Sequence, residues 1–469
     1  MLRSFRVANH KSIRDEQELQ LMPAYDKARP VVPVSAIFGA NASGKSNLID
    51  ALAWMQRAVR TSFAAWEAGS GVPRAPFRLD PTAREEPSSY VIDVVLDDVQ
   101  HVYGFAVDDA RITEEWFYAY PERRKRVIFE RELDDVSFGS TVSDGRSRAR
   151  LLESVTRPNC LALSAAAQAN QDVVMPLYEW FRAQLRVAEG AARQVLAQYG
   201  AALVHRTLDR NRGLVDLLRV ADLGIRDLRV IDDGLALFSR NTGVTPERLD
   251  AATVRRTKLA VELYQARSGD ASDPAPVAEL EKELSEADRT LRSLFQVLQQ
   301  HGIGLTAGPT LVFMHGESLV PMTLDDQSDG TVGWLRLLLE TMEVLASGGV
   351  LVVDEIDASL HPRLTARLIE LFHDKRSNPR LAQLVFTTHD ATLLGTSFGR
   401  EILARDEIWF VEKDAKSGAT SLLALTDFQP RREDNRVRRY LGGSYGGVPA
   451  VFSDTLVQTL VNPEAADAA

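Results

Sequence analysis

An α/β fold is predicted, with a parallel sheet at its centre, a mixed or antiparallel β-subdomain beside it and a helical insertion. Three stretches predict it. The apolar run from Val34 to Phe38 opens into Gly39-Ala40-Asn41-Ala42-Ser43-Gly44-Lys45-Ser46, and a helical pattern follows from Asn47 to about Arg60. A second apolar run, Leu351 to Val353, ends in the two carboxylates Asp354 and Glu355. Between Tyr90 and Glu132 lie four strand-like runs, with Asp97-Asp98 and Asp108-Asp109 in the turns between them.

Taken in order, residues 2–21 alternate apolar and polar and read as a first strand and turn. Residues 61–88, rich in Ala, Gly and Pro, read as a loop with a short helix. The strand-like runs are Tyr90 to Leu96, His101 to Val107, Glu115 to Tyr120 and Arg126 to Glu130, expected to form an antiparallel sheet beside the parallel one. Residues 147–240 are mostly helical by pattern. Val277, Leu280, Leu284, Ala287, Leu291, Leu294 and Leu298 step by three and four, a heptad seam. A second periodic stretch, Leu249 to Ala266, precedes it, and Ser268 to Pro274 breaks the two. This predicts an antiparallel helical hairpin within 246–300. Either it packs on its own domain, or it projects as a coiled coil that meets another subunit. The division expected is 1–185 and 311–430 for the two parts of a core, 186–310 for the insertion, and 431–469 for a C-terminal tail or helix.

The chain has 469 residues, 45% of them hydrophobic, enough for a sizeable core. No apolar run is long enough to span a bilayer, and Met1 to Arg6 lacks the apolar stretch of a signal peptide. A soluble, cytoplasmic protein without a membrane partner is expected. The single cysteine, Cys160, excludes an internal disulfide and a cysteine-based zinc site, and reads as a small core residue. The net charge of −10 argues against a general electrostatic grip on nucleic acid. Basic patches at Arg123 to Arg126, at Arg146, Arg148 and Arg150, at Arg255 to Lys258 and from Arg431 to Arg439 read first as solvated faces.

The Gly39 to Ser46 stretch carries the most specific chemistry. Strand, glycine-rich loop, then helix is the context in which successive backbone N–H groups curl around phosphate oxygens. The following helix adds the positive end of its dipole. The expected nucleotide contacts are Gly39, Asn41, Ser43, Gly44, Lys45, Ser46 and Asn47. Lys45 would reach the β- and γ-phosphates of ATP and the Ser46 hydroxyl would ligate Mg²⁺. Asp354 would hold the same Mg²⁺ and Glu355 would act as general base on the attacking water. The two strands are expected side by side in one parallel sheet.

Beyond Glu355 comes Ile356-Asp357-Ala358-Ser359-Leu360-His361-Pro362, with Pro362 suited to the first turn of a helix. The buried-type run Leu384 to Thr388 then ends in His389. A lone histidine is often structural. At the carboxyl end of a strand in this sheet, His389 is placed to sense the γ-phosphate. Upstream, Ser328-Asp329-Gly330-Thr331 opens a helix from about Val332 to Leu345. Read alone, it is a capped helix start; such an end also favours anions.

The order of these stretches resembles the ABC-type ATPase arrangement of the SMC, RecF and OLD proteins, within the P-loop NTPase fold. More closely it resembles the stand-alone bacterial ATPases of the RloA and AbiL kind and the ATPase subunits of PARIS and related anti-phage systems. Arg157 to Ser164, Ala221 to Ile225, Asp406 to Lys413 and Tyr440 to Pro449 also fit that group. The resemblance implies a homo-oligomer in which Ser328, Gly330 and Thr331 of one subunit face the ATP of another, with Asp357 in the loop joining the two sites. It implies an ATPase that acts as sensor and scaffold, answering to a DNA or phage-protein trigger and controlling a separate effector such as a Toprim or HNH nuclease. The alternative it leaves open is a RecF- or SMC-like DNA-binding clamp in repair. Two features depart from the pattern. The signature is Ser-Asp-Gly-Thr, not the transporter Leu-Ser-Gly-Gly-Gln. No Q-loop glutamine stands out, although Pro76 to Leu79 lies about where that loop is expected. Phe410 to Asp414 superficially resembles the first glutamate of a Toprim centre. No Asp-x-Asp follows, so no nuclease centre is expected in this chain.

Overall fold

The computed structural model describes residues 1–447, apart from 27, 189, 211–212, 222–223, 232–243, 269–274, 301–308, 359, 397–398 and 429–434. Ser359, most of the break before Pro274, Asp222-Leu223, Arg431 to Glu433, Val448-Pro449 and the tail beyond lie outside the described residues. Two compact units emerge, one of residues 1–189 and 343–469, the other of residues 190–342.

The first unit is built on two sheets. β1 (Leu2–Ala8) and β2 (Gln17–Gln20) form an antiparallel pair, and β3 (Val34–Gly39) leads into helix α1 (Lys45–Ala65). After the short helix α2 (Pro81–Glu85), the chain runs through β4 (Ser88–Leu96), β5 (Val99–Val107), β6 (Ile112–Tyr120), β7 (Arg126–Glu132) and β8 (Asp135–Phe138). These strands close an antiparallel sheet in the order β2-β1-β4-β5-β6-β7-β8. Helices α3 (Gly145–Val155), α4 (Ala162–Gln168) and α5 (Met175–Glu179) follow, then a three-residue strand, β9 (Leu185–Val187).

The second unit contains α6 (Ala192–Arg210), α7 (Gly213–Val220) and β10 (Ile225–Ile231). Then come α8 (Pro246–Ser268) and α9 (Ala275–Gln300). The ion pairs Arg256–Asp288 at 2.9 Å and Arg267–Glu281 run in opposite senses along these helices, so the two are antiparallel. Ala287 and Leu294 of the heptad seam are buried, as are Leu259 and Leu263 of the facing helix. β11 (Thr310–His315) and β12 (Val320–Met322) complete a small sheet with β10. Helix α10 (Asp329–Ser347) begins in this unit.

The chain returns to the first unit with β13 (Val350–Val353), α11 (Pro362–His373), β14 (Gln383–Thr388), β15 (Ile408–Lys413), β16 (Thr420–Ala424) and α12 (Arg436–Leu441). Its second sheet has the order β16-β15-β3-β14-β13-β9. All pairings are parallel except that of the edge strand β16. Every residue of β3, β13 and β14 is buried, as a parallel sheet covered on both faces requires.

This order corrects one expectation. β3 and β13 are not neighbours, because β14 lies between them and pairs in parallel with both. Residues 147–240 also hold two strands, β9 and β10, where helix was expected. Helix α1 begins two residues earlier and ends five later than its apolar pattern suggested. Leu48, Leu52, Met55 and Val59 join one core cluster with residues of both sheets, including Phe5, Tyr90, Ile37 and Val385. A helix buried on several sides carries no sharp polar face to mark its limits. Gln383 ties the sheets together. Its side chain accepts from Leu2 N at 2.7 Å and donates to Leu2 O at 2.8 Å.

Candidate functional site

The site lies at the carboxyl ends of β3, β14 and β13, where an α/β sheet commonly presents its loops to a ligand. β3 ends at Gly39. A Cβ there would stand 2.6 Å from Val411 O and 2.7 Å from Ser43 Oγ, so the strand can enter the loop only as glycine. Ala42 (φ 63°) and Gly44 (φ 111°) both take left-handed backbone, curling the loop before α1. At Gly44 a Cβ would fall 2.3 Å from Thr420 Oγ1.

Hydroxyl groups far apart in sequence hold this loop from outside. Thr420 donates from Oγ1 to Ser43 O at 2.8 Å and meets Ser12 Oγ at 2.7 Å. Asn47 donates to Ser12 Oγ at 2.6 Å. Neither Ser12 nor Thr420 was legible as a site residue, because an isolated hydroxyl carries no local pattern. Beside Asn47 opens a cleft of about 450 Å³, lined by Lys11, Ser12, Pro76, Arg78, Leu79 and Lys413 among others. The Pro76 to Leu79 stretch therefore borders the loop, although it supplies no glutamine.

Lys45 is buried and donates to Gly39 O at 2.8 Å and Ala40 O at 2.9 Å. Burial pulls its pKa down, and the nearby charges of Asp354, Glu355 and Asp357 oppose that. Thr387, at the end of β14, holds Asp354 and the backbone of Glu355. Its hydroxyl donates to Asp354 Oδ1 at 2.5 Å and accepts from Glu355 N at 2.7 Å. Glu355 has left-handed backbone (φ 49°) and a side chain 55% exposed, so its carboxylate stays open to water. His389 Nε2 stands 4.0 Å from Glu355 Oε1, and His389 N donates to Asp357 Oδ2 at 3.3 Å. Asp357 thus lies beside His389 within this unit.

The residues suit a triphosphate and its cation. Ser43 Oγ is buried and has no hydrogen-bond partner among the described residues, an arrangement that a phosphate oxygen would satisfy. Asn41 and Ser46 are exposed on the loop and at the start of α1. Among the described residues no group of three or more His, Cys, Asp and Glu side chains converges as a metal site. Mg²⁺ needs none, since one or two protein oxygens plus phosphates suffice.

Ser328, Gly330 and Thr331 belong to the second unit, at the N-terminus of α10. Ser328 Oγ accepts from Thr331 N at 3.1 Å and meets Thr331 Oγ1 at 2.8 Å, a capped first turn. Thr331 is buried, whereas Ser328 is exposed. Arg193 braces the turn through Leu324 O (2.6 Å), Gln327 O (2.8 Å) and Asp329 Oδ1 (2.9 Å).

The profile of the family described as "AAA domain, putative AbiEii toxin, Type IV TA system" matches residues 34–395. The chain belongs to this family. No curated protein matches it. The match begins at the first residue of β3 and ends just beyond His389, so it takes in every strand end described above. Membership makes this AAA-domain chain an ATPase in general terms, and such ATPases use a nucleotide, typically with Mg²⁺. Among the described residues no helix is long and apolar enough to cross a membrane.

Lys45→Ala is expected to weaken ATP binding by about 100-fold or more, because a charge-assisted contact to phosphate is lost. Calorimetric titration checks this, and unchanged affinity would refute the assignment of the loop.

Proposed function

We propose that this AAA-family chain is the ATP-binding and ATP-hydrolysing subunit of a bacterial anti-phage defence system, with ABC-type composite sites between subunits. One observation carries the catalytic part: Lys45, Asp354, Glu355, Asp357 and His389 all follow the carboxyl ends of three adjacent parallel strands, and His389 stands against both Glu355 and Asp357. In this reading Gly39, Asn41, Ser43, Gly44 and Asn47 form the cradle. Lys45 offsets phosphate charge, while Ser46 and Asp354 would hold Mg²⁺. The cleft beside Asn47 would take the nucleoside end.

Bound Mg-ATP supplies the phosphoanhydride bond whose hydrolysis releases free energy. Glu355 orients water and accepts its proton, and its exposed carboxylate fits that role. His389 would contact the γ-phosphate. Thr387 positions Asp354 and Glu355 without touching substrate.

The assembly part of the proposal rests on the order of motifs and their resemblance to related ATPases. Ser328 and Gly330 of one subunit would meet the γ-phosphate held by another, so ATP would bridge a homo-oligomer. Assembly state would then hold or release a separate effector, a Toprim or HNH nuclease, in response to DNA or a phage protein. The heptad-bearing pair α8 and α9 is available for a coiled-coil contact in the same assembly. The acidic balance of the chain favours this over a RecF-like DNA clamp.

Glu355→Gln is expected to bind ATP normally and hydrolyse it ~10²–10⁴-fold more slowly, since only the base is removed. Single-turnover phosphate release measures this. Turnover within a few-fold of wild type would place the base elsewhere.

Mixing tests the composite site. Lys45→Ala would hold ATP too weakly to turn over, and Gly330→Arg places a bulky side chain at the α10 end. A mixed dimer retains one intact site, so activity should partly return when two inactive proteins are combined. Light scattering should find the largest assembly in Glu355→Gln with ATP. No rescue, with a strictly monomeric Glu355→Gln protein in saturating ATP, would reduce Ser328 to Thr331 to a helix cap.

A further inference from the structure

The segment after β16 reaches back onto the phosphate loop. α12 is capped by Asn435, whose side chain accepts from Arg438 N at 2.9 Å. Arg436 anchors it, being buried and bonded to Glu401 Oε1 at 2.8 Å and Leu403 O at 3.3 Å. Tyr440 stacks on Phe410 of β15 at 5.5 Å between ring centroids and meets Phe38 of β3 edge-on at 5.9 Å. Tyr445 stacks on the same Phe410 at 5.0 Å. Two aromatic rings of one short segment therefore grip the strands on which the phosphate loop begins.

The glycines then make the closest approach. A Cβ on Gly447 would stand 3.1 Å from Val411 O and 3.2 Å from the Cα of Gly39, and its φ of +68° already lies in the left-handed region. A Cβ on Gly446 would fall 2.6 Å from Glu412 Oε2. Only glycine lets the chain lie this close to the first residue of the loop. At its other side, α12 packs on the turn Ala391–Leu394, which directly follows His389 and Asp390. One segment thus touches the start of the phosphate loop and the turn behind the histidine. Those two places flank the expected phosphate position from different strands.

We propose that residues 435–447 are a positioning strap, with Tyr440 packed on Phe38 and Gly447 lying against Gly39 while α12 holds the turn after His389, so that nucleotide binding tightens the segment onto the sheet. The proposal rests on the ATPase reading and adds a structural element to it. A strap of this kind links the occupancy of the site to the part of the chain that follows residue 447.

Hydrogen exchange of the full chain, with and without Mg²⁺ and adenylyl imidodiphosphate, tests it together with calorimetry of the same probe. In wild type the amides of residues 435–447 should exchange more slowly when the probe is bound. Gly447→Ala should weaken binding about ten-fold, and should lower the melting temperature without nucleotide as well, because a side chain in this left-handed backbone is strained in either state. Tyr440→Leu removes both ring contacts to Phe38 and Phe410, and should weaken binding by about three- to ten-fold. It carries the test if Gly447→Ala does not fold. Wild-type binding without added protection over 435–447, or unchanged affinity in the folded variants, overturns the strap alone. Absence of any binding by wild type, matching Lys45→Ala, overturns the ATPase reading and the strap with it.

Discussion

The site depends on one buried strand. β14 separates β3 from β13, and its last residues decide what the flanking strands can do. Thr387 is fully buried, yet its hydroxyl reaches Asp354 at the end of β13 and receives the backbone N–H of Glu355. Two hydrogen bonds from one β-branched side chain fix where the acidic pair leaves the sheet. The next residue but one is His389, whose backbone N–H turns to Asp357. On the other side, β14 pairs with β3 up to Phe38, just before the loop. Strand pairing therefore sets the phosphate loop, the acidic pair and the histidine at one level of the sheet.

Electrostatics and packing then pull in opposite directions on Lys45. Burial disfavours its charge and prevails, and the charges of Asp354, Glu355 and Asp357 offset it only in part. The carbonyls of Gly39 and Ala40 hold the ammonium within the loop, where triphosphate oxygens can replace them as partners. The loop itself is fixed by groups from three distant places: Ser12 after β1, Thr420 on β16, and Gly447 beyond α12. A loop braced in this way requires little reordering when it binds an anion, which favours affinity.

The candidate site was legible where a buried strand runs directly into residues that could carry chemistry. Gly39 to Ser46, Asp354-Glu355 and His389 each follow an apolar run, and each lies at a strand end. Four of the antiparallel strands, β4 to β7, were legible from their alternation, each correct at one end and two or three residues short at the other, whereas β8 was not. Strand order was not. Neighbours in a parallel sheet are chosen by crossover connections, so nothing local in Leu351 to Glu355 reveals that β14 intervenes. β9 has three residues, too few for any period, and β10 lies in a stretch whose helical pattern surrounds it. Ser12 was missed as a loop brace because Asn47 lies 35 residues on with no pattern linking the two, and Thr420 and Gly447 because their partners lie hundreds of residues away. The cap formed by Ser328 and Thr331 was legible as a helix start.

Thr387→Val tests the central claim most directly. Valine keeps the branched shape and the strand preference and removes only the hydroxyl that orients Asp354 and Glu355. ATP affinity, set mainly by the loop and Lys45, should stay within a few-fold of wild type. Phosphate release under single turnover should fall by about 10–100-fold, the usual effect of losing an orienting partner behind a metal ligand. Unchanged phosphate release with unchanged affinity would contradict the account, because the acidic pair would then need no support from β14.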